Sequence, residues 1–235
     1  MQTADLAHVN ESRFGVWFLG TNTWAIHVLR RAFNDLQTLI INPPPSYDVI
    51  LDVGCGWGRS LLLLEERFMP RHVIGIDSDP EMLDASQKEI DRHDLRAELR
   101  LMSASHLSLP DASVDMIFCH QTLHHVVEQK AALQEFFRVL KPGGVLLLAE
   151  STRHYIYSWI IRLLFRHDMS VQRSADEYLS MIRAAGFLVS ENSISYPYLW
   201  WSRSDLGISE KIFRIAPSKI RTETLLNLVA VKAHR

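Results

Sequence analysis

The chain has 235 residues, of which 47% are hydrophobic and 22% charged, with 10 glycines and 9 prolines. This composition is typical of a folded globular protein and excludes collagen-like, low-complexity and wholly disordered chains. Lysine and arginine total 25 against 27 aspartates and glutamates, a formal net charge of -2, so we expect no nucleic-acid partner.

The cysteine content and the lengths of the apolar segments bear on the cellular location of the protein. The two cysteines, Cys55 and Cys119, are too few for a disulfide framework and lack the spacing of a zinc site. The N-terminus has no basic stretch followed by an apolar one, and no segment reaches the roughly 18 apolar residues of a membrane span. These features predict a cytoplasmic protein, and the length suits a single α/β domain.

The first regular elements are a helix, a strand and a second helix. Apolar residues at three-to-four spacing predict an amphipathic helix over residues 24–41, which the prolines at 43–45 end. An apolar strand over 49–53 then runs into a glycine-rich turn at 54–58, and a leucine-rich helix follows over 59–68.

Strands and helices keep alternating after this unit. The apolar runs predict strands over residues 73–77, 97–102, 114–119, 145–149, 187–195 and 225–231. Helices are expected from 78 onward, over 130–140 and over 175–185, the last closed by Gly186, and the Lys-Pro-Gly-Gly sequence at 141–144 predicts a turn. This order is typical of a doubly wound α/β fold with a mostly parallel sheet.

The glycine turn and the end of the second strand predict a nucleoside site. In open α/β sheets, ligands bind beyond the carboxyl ends of the strands. Gly54, Gly56 and Gly58 allow a sharp turn and a close approach of the backbone to a ligand. Asp77 ends the second strand, where a carboxylate can accept hydrogen bonds from both ribose hydroxyls.

The charge next to the glycine turn indicates which nucleoside. A dinucleotide fingerprint would require a glycine where Arg59 stands. Asp52, just before the turn, would repel a pyrophosphate but attract a ligand with ammonium and sulfonium groups. S-adenosylmethionine has both groups.

Five sequence blocks, in order, resemble the class I S-adenosylmethionine-dependent methyltransferases, particularly those of the ubiquinone and menaquinone biosynthesis group. The blocks are VILDVGCGWGRS, VIGIDSDPEML, SASHLSLPDASVDMIFCHQTLHHV, FRVLKPGGVLLLAE and YLSMIRAAGF. The resemblance implies a seven-stranded Rossmann-like sheet with the last strand antiparallel, S-adenosylmethionine as cofactor and S-adenosylhomocysteine as product. It also implies one methyltransferase domain, with a cap segment (1–45), a cofactor-binding core (46–150) and substrate-side helices and final strands (151–235).

The resemblance assigns the cofactor contacts residue by residue. The amino acid end would bind at Asp52 and the backbone of Gly54, Cys55 and Gly56, and Gly58 would also belong to the cofactor site. The ribose would bind at Asp77, the nucleoside at Ser78 and Met82, and the adenine at Ser103, Ala104 and Ser105. The backbone at His120 and Gln121 would meet the cofactor ammonium. The family usually has an aspartate where Ser103 stands, so the adenine contact relies here on a hydroxyl or on the backbone.

Several histidines and a tyrosine are candidates for a general base. They are His120, His125, His154 and Tyr155. Because neighbouring side chains point in different directions on a regular element, we expect His124 and His125 not to bind a metal. The resemblance implies that they pack and cap, since the Leu-His-His sequence occurs in the family irrespective of substrate. The chain is therefore expected to contain no metal site.

Aromatic and basic segments outside the five blocks indicate the acceptor. Aromatic residues cluster at 17–24, 155–161 and 196–201, where they either cover the cofactor mouth or pack as core. Residues 160–166 also resemble a helix that touches a membrane surface. The basic residues Arg203, Lys211, Arg214, Lys219 and Arg221 outnumber Asp205 and Glu210, which suits either an acidic substrate or a solvated face.

These features predict transfer of a methyl group to an oxygen, carbon or nitrogen of a hydrophobic or aromatic small molecule. Two alternatives remain open: a protein that holds the cofactor without turnover, and a nicotinamide-dependent oxidoreductase, which Asp52 and the glycine spacing disfavour. The oligomeric state is left open.

Overall fold

A computed structural model describes residues 12–203, 206–214 and 221–234. The described residues form one seven-stranded sheet in the order β3-β2-β1-β4-β5-β7-β6. The strands are β1 (Val49–Val53), β2 (His72–Asp77), β3 (Ala97–Leu101), β4 (Val114–His120), β5 (Leu140–Ser151), β6 (Ile194–Ser195) and β7 (Leu225–Val231).

The helices precede, cover and follow the sheet. They are α1 (Arg13–Leu19), α2 (Asn22–Trp24), α3 (Arg30–Leu39), α4 (Arg59–Phe68), α5 (Pro80–His93), α6 (Gln129–Val139), α7 (Arg153–Ile156), α8 (Trp159–Leu164), α9 (Ala175–Ala184) and α10 (Ile208–Phe213). A π-helical turn, Ala25–Leu29, joins α2 to α3, and 3-10 turns cover Leu123–His125, Glu191–Ser193 and Trp200–Ser202.

The predicted sheet is confirmed. Strands β1 to β5 pair in parallel, and β7 runs antiparallel to both β5 and β6. The strand order reverses beside β1, because β2 pairs on one side of it and β4 on the other. In such sheets this reversal opens a crevice at the carboxyl ends of the strands.

Both faces of the sheet are covered, as a doubly wound fold requires. Leu51 and Val53 of β1 belong to the buried cluster that includes residues of α6 and α9. Ile50 belongs to the cluster on the opposite face, which includes residues of α3, α4 and α5. The alternation along β1 follows from the two-residue period of a strand.

Local capping explains where several helices begin. Asp79 accepts a hydrogen bond from the Glu81 backbone at the start of α5, where a proline occupies the first turn. Ser174 and Glu177 form a reciprocal capping box at the start of α9.

The sixth predicted strand is largely wrong. Only Ile194–Ser195 pairs as a strand, while Leu188 forms an isolated bridge with Val231. Between them the Ser190 side chain accepts a hydrogen bond from the Asn192 backbone at the start of a 3-10 turn. This local bond gives the backbone an alternative to strand pairing.

Two further predictions need correction. The turn expected at 141–144 lies within β5 as an irregularity, because Leu140 pairs with Val114 and Val145 with Met116. The single helix expected over 24–41 is interrupted by the π-helical turn. The assignment of functions to 1–45, 46–150 and 151–235 stays a prediction.

Candidate functional site

The glycine turn lies at the crevice where the strand order reverses. The backbone N–H groups of Gly54 and Cys55 both donate to the Ile76 carbonyl of β2, over 2.8 and 3.0 Å. The turn closes when Gly58 N–H donates to the Cys55 carbonyl, and α4 begins at the next residue. The backbone thus passes across the end of β2 before it enters the helix.

The three glycines are required for different reasons. All have positive φ, and a Cβ on Gly54 would lie 2.2 Å from Thr122 Oγ1. A Cβ on Gly58 would lie 2.9 Å from Ser86 Cα, so this glycine lets α5 approach. A Cβ on Gly56 would have no neighbour closer than 3.9 Å. The backbone of Gly56 therefore faces open space, as a ligand cradle requires.

Asp52 is a buried carboxyl group beside this turn. Only 1% of the residue is exposed, and its Oδ2 accepts a hydrogen bond from Ser60 over 2.5 Å. Burial, opposed by the Ser60 hydrogen bond and reinforced by the negative charge of Asp77, raises the pKa of Asp52 to about 7. Its charge is therefore sensitive to a cation bound nearby.

Asp77 stands at the end of β2 and contacts the turn directly. One oxygen accepts from Gly56 N–H and the other from Asp79 N–H, each over 3.0 Å. Burial raises the pKa of this carboxyl group, and the two backbone donors oppose that shift. A carboxylate has further acceptor positions on each oxygen, so both remain able to accept hydroxyl groups.

A cavity of about 80 Å³ adjoins the turn. Its lining comes from the turn, the end of β4 and the N-terminal helices and includes Asp52, Gly56, Trp57, His120, Trp24 and Leu29. The buried Trp57 Nε1 and His120 Nε2 have no hydrogen-bond partner among the described residues. Buried polar atoms are rarely left unpaired in a folded protein, so these two indicate a ligand position.

The predicted adenine-side residues lie farther along the same edge. Asp77 accepts at its carbonyl a hydrogen bond from Met102 N–H over 2.9 Å, which places Ser103, Ala104 and Ser105 next to the end of β2. Ser103 and Ser105 share a 3.0 Å contact between hydroxyls. Ser78 and Met82 are half-buried near the start of α5. The 80 Å³ cavity is not lined by these residues.

A second, larger cavity of about 360 Å³ shares a wall with the first, since His120 and Gln121 line both. Its apolar lining is Val28, Ala32, Pro197, Leu199, Trp201 and Leu225. Its polar lining includes Arg31 and the pair in which Asn227 Nδ2 donates to Asp35 Oδ2 over 2.7 Å. The volume suits a small-molecule ligand.

The four candidate bases occupy different places. His120 lies at the shared wall, and burial lowers its pKa to about 3, so its imidazole is neutral near pH 7. Burial raises the pKa of Tyr155, which contacts Trp201 edge to face. His154 is exposed on α7, and His125 lies in a histidine cluster. Of the four, only His120 lines either cavity.

The aromatic segments divide between cavity wall and surface. Trp24 lines the first cavity and Trp201 the second, and Gly20 packs near the Trp57 ring. Trp17 and Trp159 are instead more than 60% exposed. The sequence left two interpretations of these aromatic segments, a cover over the cofactor site and part of the hydrophobic core, and each describes only some of the residues.

The histidines after β4 contradict the geometry expected from the sequence. The ring centroids of His124 and His125 are 4.1 Å apart, and those of His125 and His167 are 5.0 Å apart. They converge because 123–125 is a 3-10 turn rather than a strand or α-helix. The sequence analysis also missed His167 and Glu150, which contacts His124 Nδ1 over 2.6 Å.

The basic residues near the C-terminus contact aromatic rings. The guanidinium groups of Arg203 and Arg221 lie 5.2 and 4.5 Å from the Tyr198 ring, and Lys211 Nζ lies 5.6 Å from the Trp200 ring. Asp205, Lys219 and the side chain of Glu210 lie outside the described residues. Three of the five basic side chains named from the sequence, Arg203, Lys211 and Arg221, therefore make cation–π contacts.

The possible contact with a membrane surface remains a prediction. In α8, Ile161 is buried, whereas Leu163 is 73% exposed. In the described part of the chain, no helix is both long and apolar enough to cross a membrane.

Comparisons with known proteins agree with this geometry. Residues 51–148 match the model of a family described as a methyltransferase domain. Demethylmenaquinone methyltransferase from Deinococcus radiodurans is 30% identical over 152 residues, which are 64% of this chain and 58% of that protein. Trans-aconitate 2-methyltransferase from Azoarcus sp. is 33% identical over 126 residues, covering 53% of this chain and 46% of that protein.

Solved structures match more of the chain at lower identity. A SAM-dependent methyltransferase from Aquifex aeolicus superimposes with a TM-score of 0.63 and 17% identity, covering 93% of this chain and 97% of that one. The chain spans about half the length of the curated relatives it matches. Residues 51–148 thus match a methyltransferase domain, and the described residues have the fold of a solved S-adenosylmethionine-dependent methyltransferase.

Proposed function

We propose that this chain transfers the methyl group of S-adenosylmethionine to a hydrophobic or aromatic small molecule that binds in the 360 Å³ cavity. One observation carries the proposal: His120 and Gln121 form a wall common to this cavity and to the one beside the glycine turn. A cofactor held at the turn and an acceptor in the larger cavity would meet at that wall.

The residues beside the turn fit the amino acid end of the cofactor. Asp52 supplies a carboxyl group for the ammonium, and Gly56 supplies backbone with open space above it. The unpaired Trp57 Nε1 supplies a hydrogen-bond donor at the same cavity. The 80 Å³ volume is below the usual range of ligand sites, so we infer that the covering residues Trp24 and Leu29 shift when the cofactor binds.

The residues beside β2 fit the nucleoside. Asp77 would accept the ribose hydroxyls, and Ser78 and Met82 would contact the nucleoside. We propose Ser103, Ala104 and Ser105 for the adenine edge, because the backbone bond from Met102 holds this segment against Asp77.

The residues of the chain align the reactants rather than supply strong base catalysis. When bound, S-adenosylmethionine supplies a methyl group already activated by the sulfonium. His120 is a weak base because its pKa is about 3, but its neutral ring can exchange a hydrogen bond with the acceptor at the shared wall. The apolar part of the lining would displace water from the side of an acceptor that packs against it. Alignment of two bound reactants can supply most of the acceleration.

The lining favours an aromatic acceptor over an anionic one. Trp201 and Leu199 provide apolar walls, and the Asp35–Asn227 pair provides a polar end. Among the described lining residues, the charge of Arg31 is balanced by that of Asp35, so these residues offer no surplus positive charge to a polycarboxylate. The match to demethylmenaquinone methyltransferase supports an aromatic acceptor, and we give it more weight than the match to trans-aconitate 2-methyltransferase, whose name indicates an anionic acceptor.

We also propose a cytoplasmic location for this chain, because both cysteines are free and buried.

The test incubates the protein with S-adenosylmethionine carrying a deuterated methyl group and two acceptor panels, phenols and quinols in one and aliphatic polycarboxylates in the other. We expect a labelled product from the aromatic panel, detected by mass spectrometry, with S-adenosylhomocysteine released in equal amount. Labelling only of polycarboxylates would overturn the acceptor class.

Binding measured in parallel separates the alternatives. A thermal shift with S-adenosylhomocysteine and no product from either panel or from cell-extract metabolites would indicate a protein that binds without turnover. A thermal shift with NADH alone would revive the oxidoreductase.

A further inference from the structure

We propose that His124, His125 and His167 form a binding site for a divalent cation of the zinc class. Each residue offers one ring nitrogen, and the three nitrogens all lie within 4.8 Å of one another. Around a tetrahedral zinc ion, ligand nitrogens about 2.05 Å from the metal are about 3.4 Å apart. His125 and His167 are half-buried, and their rings, now stacked 18° from parallel, would turn to bring the nitrogens to that spacing.

The cluster is held together by the protein itself. His124 and His125 lie on the 3-10 turn after β4, whereas His167 lies between α8 and α9. The buried Gln172 joins the two segments, because its Nε2 donates to the His124 carbonyl over 3.0 Å and to the Asp168 carbonyl over 2.7 Å. The three rings therefore approach one another without needing a metal to gather them.

Glu150 orients the most buried ring of the cluster. Its Oε2 lies 2.6 Å from His124 Nδ1, and its Oε1 accepts from the backbone N–H groups of Thr122 and Leu123 over 2.9 and 2.6 Å. With Nδ1 donating to the carboxylate, Nε2 of His124 is the nitrogen with a lone pair for a metal. Metal-binding histidines commonly donate their other ring N–H to a carboxylate in this way.

The donor set selects the kind of cation. Three imidazoles suit zinc and neighbouring transition metals, whereas magnesium and calcium require oxygen ligands. Three protein ligands leave one tetrahedral position for water or another ligand. None of the three histidines lines either cavity, so the site is separate from the proposed methyl-transfer site.

The experiment titrates the metal-stripped full chain with cobalt(II), whose visible absorption reports tetrahedral coordination, and with zinc(II) in competition. We expect one equivalent of cobalt to bind with a visible band, zinc to displace it, and magnesium to have no effect. No stoichiometric binding of either metal by the wild-type chain would overturn the proposal.

The variants test whether these histidines are the ligands. His125→Ala and His167→Ala are each expected to weaken binding by about 100-fold or more, and Glu150→Gln by about 10–100-fold. His93→Ala on α5 is the matched control, because His93 is an exposed histidine that does not belong to the cluster, and it should bind like wild type. Circular dichroism checks that each variant is folded. Unchanged binding in a folded His125→Ala/His167→Ala double variant would show that surface histidines hold the metal and would refute the site.

Discussion

The two cavities at the carboxyl edge of the sheet are built differently. Beside the glycine turn, the bonds join residues close in the chain: Ser60 donates to Asp52, 8 residues away, and Gly56 to Asp77, 21 residues away. In the larger cavity, Asn227 donates to Asp35 across 192 residues, and Trp201 to the His27 carbonyl across 174. The polar groups of the glycine turn are thus held by bonds between residues close in the chain, whereas the polar groups on the acceptor side are held by bonds between distant segments.

This difference has a functional consequence. Changes on the cofactor side should alter both the cofactor affinity and the stability of the fold, because the same hydrogen bonds between residues close in the chain shape the turn and hold the binding groups. Changes on the acceptor side should alter acceptor binding while leaving cofactor affinity intact. The following variants test that separation.

The largest effect is expected from Gly54→Ala. The added Cβ would lie 2.2 Å from Thr122 Oγ1 at a residue whose φ is +72°, so steric overlap and backbone strain combine. We expect a loss of about 2–4 kcal/mol in the free energy of unfolding, measured by urea denaturation, and no detectable cofactor binding.

The matched control for this variant is Gly56→Ala. Its Cβ meets nothing closer than 3.9 Å, so the cost is the strain of φ +52° alone, about 1 kcal/mol, while the methyl group intrudes on the proposed cradle. If Gly54→Ala and Gly56→Ala lowered the free energy of unfolding equally, the distinction between Gly54, packed against Thr122, and Gly56, which faces open space, would be refuted. Normal cofactor affinity in Gly56→Ala would refute the cradle.

The next largest effect is expected from Asp77→Ala. If Asp77 accepts both ribose hydroxyls as proposed, its removal should weaken S-adenosylhomocysteine binding by about 100-fold, because hydrogen bonds to charged groups contribute about 1.5–3 kcal/mol each. Isothermal titration calorimetry measures the loss. Asp79→Ala is the control, since it removes the cap of α5 and should cost about 1 kcal/mol of stability with little change in affinity. Unchanged affinity in Asp77→Ala would exclude this carboxylate from the site.

These elements also show what the sequence can and cannot predict. The bounds of β1, α4 and β7 were predicted to the residue, because each is a short apolar or amphipathic run with a clear boundary. The placement of Asp52 and Asp77 beside the glycine turn was predicted because it depends on neighbouring backbone and strand ends, and their roles toward a cofactor stay a prediction. The mostly parallel sheet followed from the strand and helix alternation, and its seven strands with the last one antiparallel followed from the resemblance.

The missed features depend on contacts that no local pattern contains. The π-helical turn Ala25–Leu29 brings Trp24 and Leu29, five residues apart, to the same cavity. A helical period of 3.6 residues does not predict this pair, although π-helical turns are often found at functional sites. His167 was missed because only the tertiary fold brings it to His125.

A smaller effect, on the pH dependence of cofactor binding, follows from Asp52. Its pKa of about 7 in the free protein means that the group is mostly protonated at pH 6 and mostly ionised at pH 8. A cationic ligand prefers the ionised form, so affinity should rise with pH, by about 10-fold from pH 6 to pH 8. The same affinity at both pH values would exclude an ionised Asp52 as the partner of the ammonium. Asp52→Asn should flatten the profile while lowering the affinity at pH 8.

The smallest effect is expected from Trp201→Phe, which tests the independence of the acceptor side. Phenylalanine keeps an aromatic wall and the edge contact with Tyr155 but removes the 3.3 Å hydrogen bond from Nε1 to the His27 carbonyl. That bond contributes about 0.5–1.5 kcal/mol to holding Trp201 in place, and its loss should loosen this wall of the acceptor cavity, so the acceptor KM should rise a few-fold, with kcat and the Kd for S-adenosylhomocysteine unchanged. An equal loss in cofactor affinity would mean that the two cavities are coupled through His120, and the separation between a cofactor half and an acceptor half would have to be abandoned.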